Sequence, residues 1–169
     1  MNDKRLAEMA TQRVQLLKEK GHTLGIAESC TGGWLSKIIT DISGVSAIYK
    51  GGVCSYSNEI KMSILGVKED TLATYGAVSR QTATEMAEGV RRALNTHIGI
   101  GITGIAGPLS DNTSKPVGLI YVAVSNGSVT LVRELRNSFT EDIRTNNRLS
   151  AMENAIDLLG DLYEEKQST

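Results

Sequence analysis

The sequence is poor in the side chains that most often bind metals or form disulfides. Its 169 residues include two cysteines, Cys30 and Cys54, and two histidines, His22 and His97. The cysteines form no spacing motif, so a disulfide framework is not expected. The histidines lie far apart along the chain, and no cluster with metal-ligand spacing is present, so neither a structural nor a catalytic metal is expected.

The sequence also lacks an excess of one charge and a long apolar run. Its 18 basic and 19 acidic residues give a formal net charge of −1 without a dominant basic stretch, so no nucleic-acid partner is expected. No segment is long and apolar enough to cross a bilayer, and no apolar signal core follows the first residues. We therefore expect a cytoplasmic protein without a membrane partner. The length and the 40% hydrophobic content predict a single globular domain over residues 1–169.

Predicted strands and helices alternate along the first two thirds of the chain, which is typical of parallel strands covered on both faces. Asn126-Gly127 between the last two strands predicts a hairpin with a type I′ turn. The sequence therefore predicts an α/β fold, a three-layer α/β/α sandwich with a mixed, mostly parallel five-stranded sheet. The predicted strands span about 23–28, 47–56, 97–103, 117–125 and 128–136, and the predicted helices about 3–20, 31–41, 59–65, 80–95 and 140–164. Two glycines in the second strand, Gly51 and Gly52, indicate a bulge or a close backbone approach.

The strongest local signal is the polar turn after the first strand. The apolar run 24–27 ends abruptly there, and a helical pattern begins after Gly32 and Gly33. Because backbone N–H groups at a helix N-terminus are unpaired, such a turn suits an anion or a developing oxyanion. Ser29 at this junction is a candidate nucleophile. The alternative is that Ser29 or Thr31 only caps the helix.

Two further polar clusters follow the second and third strands, at 56–61 and 103–108. The carboxyl ends of parallel strands share one edge of a sheet, so these clusters are expected to meet Ser29 in a crevice. Without a suitable histidine, the candidate base is Lys61, whose pKa would have to be lowered by burial or a nearby cation. The alternatives are that Lys61 is a solvated helix residue and that Tyr56 is a core aromatic.

Four other signals are interpreted more plainly. The run Gly99 to Gly104 matches G-x-G-x-x-G, but a polar loop follows it instead of a helix, so no dinucleotide site is expected. Cys30 could act as a thiol nucleophile, although a small buried or half-buried residue is the favoured interpretation. Glu28 either supports the site from behind or simply ends the strand. Arg91-Arg92 is assigned to a solvated helix face.

Five blocks in this order resemble the CinA C-terminal domain family, the nicotinamide-nucleotide amidases also called NMN deamidases. The blocks read Ala-Glu-Ser-Cys-Thr-Gly-Gly from residue 27, Tyr-Ser-Asn from 56 with Lys61, Gly-Ala-Val-Ser from 76, Thr-Gly-Ile-Ala-Gly-Pro from 103 and Lys-Pro-Val-Gly from 115. The resemblance covers nearly the whole chain and implies the same three-layer fold. Some members carry a large N-terminal molybdopterin-binding-like domain, and by this resemblance the chain is expected to be the stand-alone form.

The resemblance implies hydrolysis of the carboxamide of nicotinamide mononucleotide to nicotinate mononucleotide and ammonia, within pyridine-nucleotide salvage. It implies Ser29 as the nucleophile, Lys61 as the general base and Tyr56 beside them, orienting the proton path or the substrate. The partner would be a small pyridine mononucleotide, with no cofactor, and a homo-oligomer is left open. Contacts to the substrate or the oxyanion are implied for Thr31, Gly32, Gly33, Thr103 and Gly104.

The sequence departs from the family pattern at two places. Where the family continues with glycines after Gly-Ile-Ala-Gly-Pro, this chain has Leu109-Ser110-Asp111-Asn112, which adds bulk and negative charge. Before the last helix, the arginine of Phe-x-Gly-Asp-Arg comes one place late, as Arg144, with Arg148 four residues later. We expect Arg144 to bind the substrate phosphate in the crevice. The alternative is that the extra residue rotates it away by about 100°.

These departures leave a second function open. The chain would then be a catalytically weak or inactive homologue that acts as a nucleotide-binding or regulatory module.

Overall fold

The computed structural model, which describes residues 3–164, contains one five-stranded sheet in the order β2-β1-β3-β4-β5. Its strands are β1 (Leu24–Glu28), β2 (Tyr49–Cys54), β3 (Ile98–Gly104), β4 (Leu119–Ser125) and β5 (Thr130–Arg136). The first strand pairs in parallel with β2 and β3, whereas β4 is antiparallel to both β3 and β5. Four strands therefore run in one direction and β4 alone opposes them, which confirms the predicted mixed sheet.

Helices cover both faces of the sheet. They are α1 (Asp3–Lys20), α2 (Trp34–Thr40), α3 (Asn58–Ser63), α4 (Glu69–Tyr75), α5 (Arg80–Ala93) and α6 (Ile143–Glu164), with a short 3₁₀ turn at Val45–Ala47. The larger core lies where α1, α2 and α6 pack on one face, and α5 with α4 covers the other. This arrangement is the predicted three-layer α/β/α sandwich. Within residues 3–164, no helix has the length and apolarity needed to cross a membrane.

The glycines of β3 serve packing. A Cβ built on Gly99 would lie 2.0 Å from the carbonyl oxygen of Ala87, and one on Gly101 would lie 2.5 Å from that of Ala83. Only glycine therefore lets the buried strand approach the backbone of α5 this closely. The glycines of the G-x-G-x-x-G match at 99 and 101 are thus explained by contact between β3 and α5.

The predicted irregularity in β2 is confirmed. The pairing of β1 with β2 shifts between Leu24 and Gly25, which face Tyr49 and Gly51, so one residue of β2 is bulged out. A Cβ on Gly52 would lie 2.8 Å from the Ser36 hydroxyl. The absence of a side chain at Gly52 thus allows α2 to pack directly against β2.

The hairpin between β4 and β5 is present, but the predicted type I′ turn is wrong. Ser125 pairs with Thr130, so four residues form the loop, and of its first two residues only Gly127 has positive φ. The Asn126 side-chain oxygen instead accepts hydrogen bonds from the N–H groups of Ser128 and Val129, at 2.9 and 2.8 Å. This local side-chain bonding competes with the tighter turn, and it delays the start of β5 from residue 128 to 130.

Two helix predictions also need correction, and one helix was not predicted. The second helix begins at Trp34 and not at about 31, because Gly32 and Gly33 adopt positive φ and complete a turn first. The last helix begins at Ile143 and not at about 140, after Asp142 at φ 43°. The seven residues of α4 were not predicted as a helix, since a segment with one leucine carries no clear apolar period.

Candidate active site

The three polar segments meet at the carboxyl ends of β1, β2 and β3, as predicted. They surround an open cleft of about 280 Å³. Segments from the β3–β4 connection and the first turn of α6 complete its walls. Of the residues predicted for the site, the cleft is lined by Ser29, Tyr56, Lys61, Thr103, Gly104 and Arg144. The other three, Thr31, Gly32 and Gly33, lie outside its lining.

Ser29 and Lys61 are in direct contact at the base of the cleft. The Lys61 amine Nζ lies 3.1 Å from the Ser29 hydroxyl Oγ, and 2.7 Å from the Ser55 carbonyl oxygen. The exposed fractions are 8% for Ser29 and 2% for Lys61. The interpretation of Lys61 as a solvated helix residue is therefore wrong.

The local sequence explains how Lys61 points inward. The Ser57 hydroxyl caps α3 by accepting a hydrogen bond from the Ile60 N–H, and the Lys61 N–H donates to the Ser57 carbonyl. A side chain in this first turn is therefore directed back over the end of β2. Burial lowers the pKa of the Lys61 amine from 10.5 to about 8, and the electrostatic effect of Cys30 opposes this shift.

The neutral amine is suited to accept a proton. Deprotonated Nζ has two N–H bonds and one lone pair. With one N–H donated to the Ser55 carbonyl, the lone pair can accept the Ser29 hydroxyl proton. The geometry therefore allows Ser29 to be activated by Lys61 without histidine or metal. Residues 3–164 hold no group of three or more acidic, histidine or cysteine side chains placed to bind a metal ion.

Glu28, at the end of β1, binds the backbone N–H groups at the N-terminus of α2 through its carboxylate. Its carboxylate, 1% exposed, accepts hydrogen bonds from the N–H groups of Gly33, Leu35 and Ser36 and from the Ser36 hydroxyl. The prediction that these N–H groups are unpaired is wrong, because the protein supplies its own anion there. Glu28 thereby fixes the turn that carries Ser29.

This arrangement changes which backbone donors remain at the turn. The N–H of Gly32 donates to the Ser29 carbonyl, and that of Gly33 donates to Glu28. The N–H groups of Cys30 and Thr31, in contrast, donate to no other residue within the described part of the chain. Neither Ser29 nor Thr31 caps α2, because its N-cap is Gly33. The backbone N–H groups of residues 30 and 31 are therefore the ones at this turn that no other residue of the described chain engages.

Arg144 lies in the cleft as predicted. Its guanidinium donates from Nη1 to the Gly107 carbonyl at 2.9 Å and from Nη2 to the Tyr56 hydroxyl at 3.1 Å. The alternative of a rotated Arg144 is wrong, because α6 begins only at Ile143 and the extra residue is accommodated in the preceding loop. Tyr56 is 65% exposed and is not a core aromatic. It stands on the rim and bonds Arg144, not Ser29 or Lys61.

Thr103 and Gly104 line the cleft from β3. The Thr103 hydroxyl donates to the Ala77 carbonyl at 2.7 Å, so toward a ligand it can only accept a hydrogen bond. A Cβ on Gly104 would lie 2.6 Å from the Ile120 side chain, which accounts for the glycine by packing against β4.

Arg148 supports the turn that carries Ser29, next to the buried Cys30 thiol. Arg148 donates to the Thr31 carbonyl at 2.7 Å, and its guanidinium lies 4.8 Å from the centre of the Trp34 ring. The i,i+4 spacing from Arg144 was the sequence signal for this residue. Burial raises the pKa of the Cys30 thiol to about 12, so the thiol stays protonated and is a poor nucleophile.

The departing loop forms part of the cleft rim. Leu109 is 83% exposed, and Asp111 turns one carboxylate oxygen toward the N–H of Thr113 at 3.1 Å. Both residues line the cleft together with Ser110. The cleft mouth therefore carries the bulky side chain of Leu109 and the negative charge of Asp111.

Known proteins share this sequence pattern and fold. The profile of the CinA C-terminal domain matches residues 6–163. A CinA-like protein from Thermotoga neapolitana is 45% identical over 154 residues, which cover 91% of this chain and 37% of that relative. The chain spans about a third of the length of the curated relatives it matches.

Two solved structures have the same fold as this chain. The competence/damage inducible protein CihA from Agrobacterium tumefaciens superposes with a TM-score of 0.89 at 36% identity, covering 96% of this chain and 97% of that one. A CinA superfamily protein from Klebsiella pneumoniae gives a TM-score of 0.85 at 30% identity, covering 95% and 97%.

Proposed function

The chain belongs to the CinA C-terminal domain family, and from this premise we propose that it hydrolyses the carboxamide of nicotinamide mononucleotide to nicotinate mononucleotide and ammonia. The observation that carries the proposal is the buried contact of 3.1 Å between the Lys61 amine and the Ser29 hydroxyl. A serine at a strand–helix turn, beside a lysine whose pKa burial lowers to about 8, has both parts of a nucleophile–base pair.

In the first half of the reaction, Ser29 forms an acyl-enzyme. Neutral Lys61 takes the hydroxyl proton as Oγ attacks the carboxamide carbon, and the carbonyl oxygen becomes an oxyanion. The N–H groups of Cys30 and Thr31 are the donors available to stabilise that charge; losing one such donor typically costs about 10²–10³ in rate. Protonated Lys61 then gives its proton to the amide nitrogen, the C–N bond breaks, and ammonia leaves.

In the second half, water replaces ammonia. Lys61, neutral again, takes a proton from water as its oxygen attacks the acyl carbon. The tetrahedral adduct collapses, the bond to Oγ breaks, and Lys61 returns the proton to Ser29. One amide and one water thus yield one carboxylic acid and one ammonia, and the enzyme is regenerated.

The outer part of the cleft is assigned to the rest of the nucleotide. Arg144 is a guanidinium beside Gly107 and Tyr56, and such a group binds phosphate through paired N–H donors. The exposed Tyr56 ring on the same rim offers a π-face to the cationic pyridinium ring.

The test of the proposal is ammonia release. The purified protein is expected to release ammonia from nicotinamide mononucleotide with equal formation of nicotinate mononucleotide, measured by a coupled assay and chromatography. Nicotinamide riboside, which lacks the phosphate, is expected to react at least about tenfold less efficiently, as loss of one charged contact implies. Absence of ammonia from nicotinamide mononucleotide at saturating concentration contradicts the proposal.

The second candidate function is a nucleotide-binding or regulatory module without turnover. The observation that favours it is the placement of Leu109 and Asp111 on the cleft rim. Binding of nicotinamide mononucleotide without ammonia release would select this function.

Arg144→Ala is expected to weaken binding of nicotinamide mononucleotide by about 10–100-fold, because a hydrogen-bonded charge contact is removed. The melting temperature should change little, since the side chain is exposed. Calorimetric titration measures the affinity. Arg136→Ala, an exposed arginine on edge strand β5, is the matched control and should bind as the wild type does. Equal affinity in Arg144→Ala and wild type would remove Arg144 from the site.

A further inference from the structure

A second cavity lies at the opposite edge of the sheet from Ser29. Its volume is about 490 Å³, and it is formed where the loops before β1 and β3 meet the loop between β4 and β5. The seven residues of β3 separate the two cavities by roughly 20 Å, at about 3.3 Å per residue. It is lined by His22, Arg91, Asn95, Thr96, His97, Ile98, Asn126 and Ser128. None of these described lining residues is acidic.

Arg91 is the notable group of this cavity. Its Nε is buried without a hydrogen-bond partner, and its guanidinium forms no hydrogen bond or ion pair within residues 3–164. A Cβ on Gly127 would lie 2.7 Å from Arg91 Cζ, so the guanidinium is packed against the β4–β5 loop. Burying part of a charged group without a partner costs free energy that a bound anion would recover.

The neighbouring Arg92 behaves differently. Its side chain is 58% exposed and lies 3.9 Å from the Glu88 carboxylate, one helical turn away. The assignment of both arginines to a solvated face is therefore right for Arg92 and wrong for Arg91, which α5 directs toward the cavity.

Other lining residues add hydrogen-bond donors. The Nδ1 atom of His97 accepts from the Thr23 N–H at 3.0 Å, so the proton of the neutral ring is on Nε2. The His97 ring is also stacked on His22, with centroids 5.1 Å apart, which fixes its orientation. The Asn126 oxygen is occupied by two backbone N–H groups, so its amide NH₂ remains as a donor.

We propose that this cavity is a second binding site, for a phosphate group, held by Arg91 with His97 and Asn126. A guanidinium fork with imidazole and amide N–H donors, and without acidic residues, matches the acceptor-only oxygens of a phosphate. The cavity is wider than phosphate alone requires, and its volume falls within the range of small-ligand sites. The ligand chemistry is therefore free phosphate or a small phosphate monoester.

The test uses inorganic phosphate as the probe, followed by ¹H–¹⁵N NMR of the whole chain in a phosphate-free buffer. Saturable shifts are expected at the backbone amides of residues 95–98 and 126–128, with a dissociation constant on the order of 1 mM, a typical weak affinity. Arg91→Gln should weaken this binding at least about tenfold, the loss of one charged contact. Arg92→Gln, the adjacent control, should leave it unchanged.

Arg91→Lys keeps the charge but loses the planar fork, so it should weaken phosphate binding less than Arg91→Gln. If Arg91→Gln does not fold, phosphate binding by Arg91→Lys is compared with wild type instead. Adenosine 5′-monophosphate is the second probe: tighter binding than phosphate assigns the site to a phosphate monoester, and equal binding assigns it to free phosphate. Absence of shifts at these amides, or equal shifts in wild type and both Arg91 variants, overturns the proposal. Shifts around Ser29 and Arg144 report the cleft separately, so this outcome is independent of turnover.

Discussion

Ser29→Ala is expected to abolish ammonia release from nicotinamide mononucleotide, lowering kcat by about 10⁴-fold or more, the scale seen when a covalent nucleophile is removed. The physical reason is that Oγ forms the bond to the acyl carbon, and no other hydroxyl lies within reach of the Lys61 amine in the described hydrogen-bond network. The fold should survive, because the Ser29 hydroxyl bonds only Lys61 and lies at a cleft. Ammonia release and thermal unfolding, measured on the same preparation, separate chemistry from stability.

Cys30→Ala is the matched control, since it removes a buried side chain from the adjacent position of the same turn. Burial raises the pKa of this thiol to about 12, so it does not supply a thiolate at neutral pH. The variant should keep turnover and lose only some stability from the small cavity. Full turnover in a folded Ser29→Ala protein, or loss of turnover only in Cys30→Ala, would exclude the serine mechanism.

The place of the site could be predicted because it depends on topology. Alternating strands and helices predict parallel strands, and parallel strands bring the segments after β1, β2 and β3 to one edge. The contact between Ser29 and Lys61 follows from this rule together with the helical turn that begins at Ser57. Arg144 was also predicted to lie in the cleft, as the cation nearest to the motif positions, and the structure places it there because the loop before α6 accommodates the extra residue.

The details that could not be predicted depend on three-dimensional contacts of polar groups. Glu28 could have ended the strand or supported the site, and only the approach of α2 to β1 shows its carboxylate holding three backbone N–H groups. The Ser55 carbonyl that orients Lys61 is a backbone atom, which no residue type reveals. Likewise, Arg91 and Arg92 are indistinguishable in sequence, and their different surroundings arise from the Gly127 loop.

Lys61→Met and Lys61→Arg are both expected to lower kcat/KM for nicotinamide mononucleotide by about 10²–10⁴-fold, the usual contribution of a general base. Methionine has no basic nitrogen, and the guanidinium of arginine stays protonated, so neither can accept the Ser29 proton. Lys50→Met is the control, because Lys50 is an exposed lysine on β2 whose side chain has no hydrogen-bond partner within residues 3–164. It should retain wild-type kinetics.

The pH profile of the wild type tests the state of the same amine. Only neutral Lys61 acts as a base, and its pKa of about 8 leaves about a tenth of the molecules in that form at pH 7. In wild type, kcat/KM should therefore rise about tenfold per pH unit below the pKa and level off above about 8. A profile that is flat from pH 6 to 9 would show that Lys61 does not supply the titrating base.

The pH dependence of folding stability should reveal the lowered pKa of Lys61 without any substrate. Because the folded-state pKa of Lys61 is about 8 and the unfolded value is 10.5, the folded protein binds fewer protons between these pH values. The free energy of unfolding of wild type should then rise with pH across this window, relative to Lys61→Met, by about 1.4 kcal/mol per pH unit and about 3 kcal/mol in total. Below pH 8 the full free-energy penalty of the buried ammonium is present, and above pH 10.5 it is gone.

Urea unfolding at several pH values measures the difference in unfolding free energy, and the values for Lys50→Met are expected to run parallel to those of wild type. A constant difference between wild type and Lys61→Met from pH 7 to 10 would mean that burial does not shift this amine, and the serine would then lack a base at neutral pH.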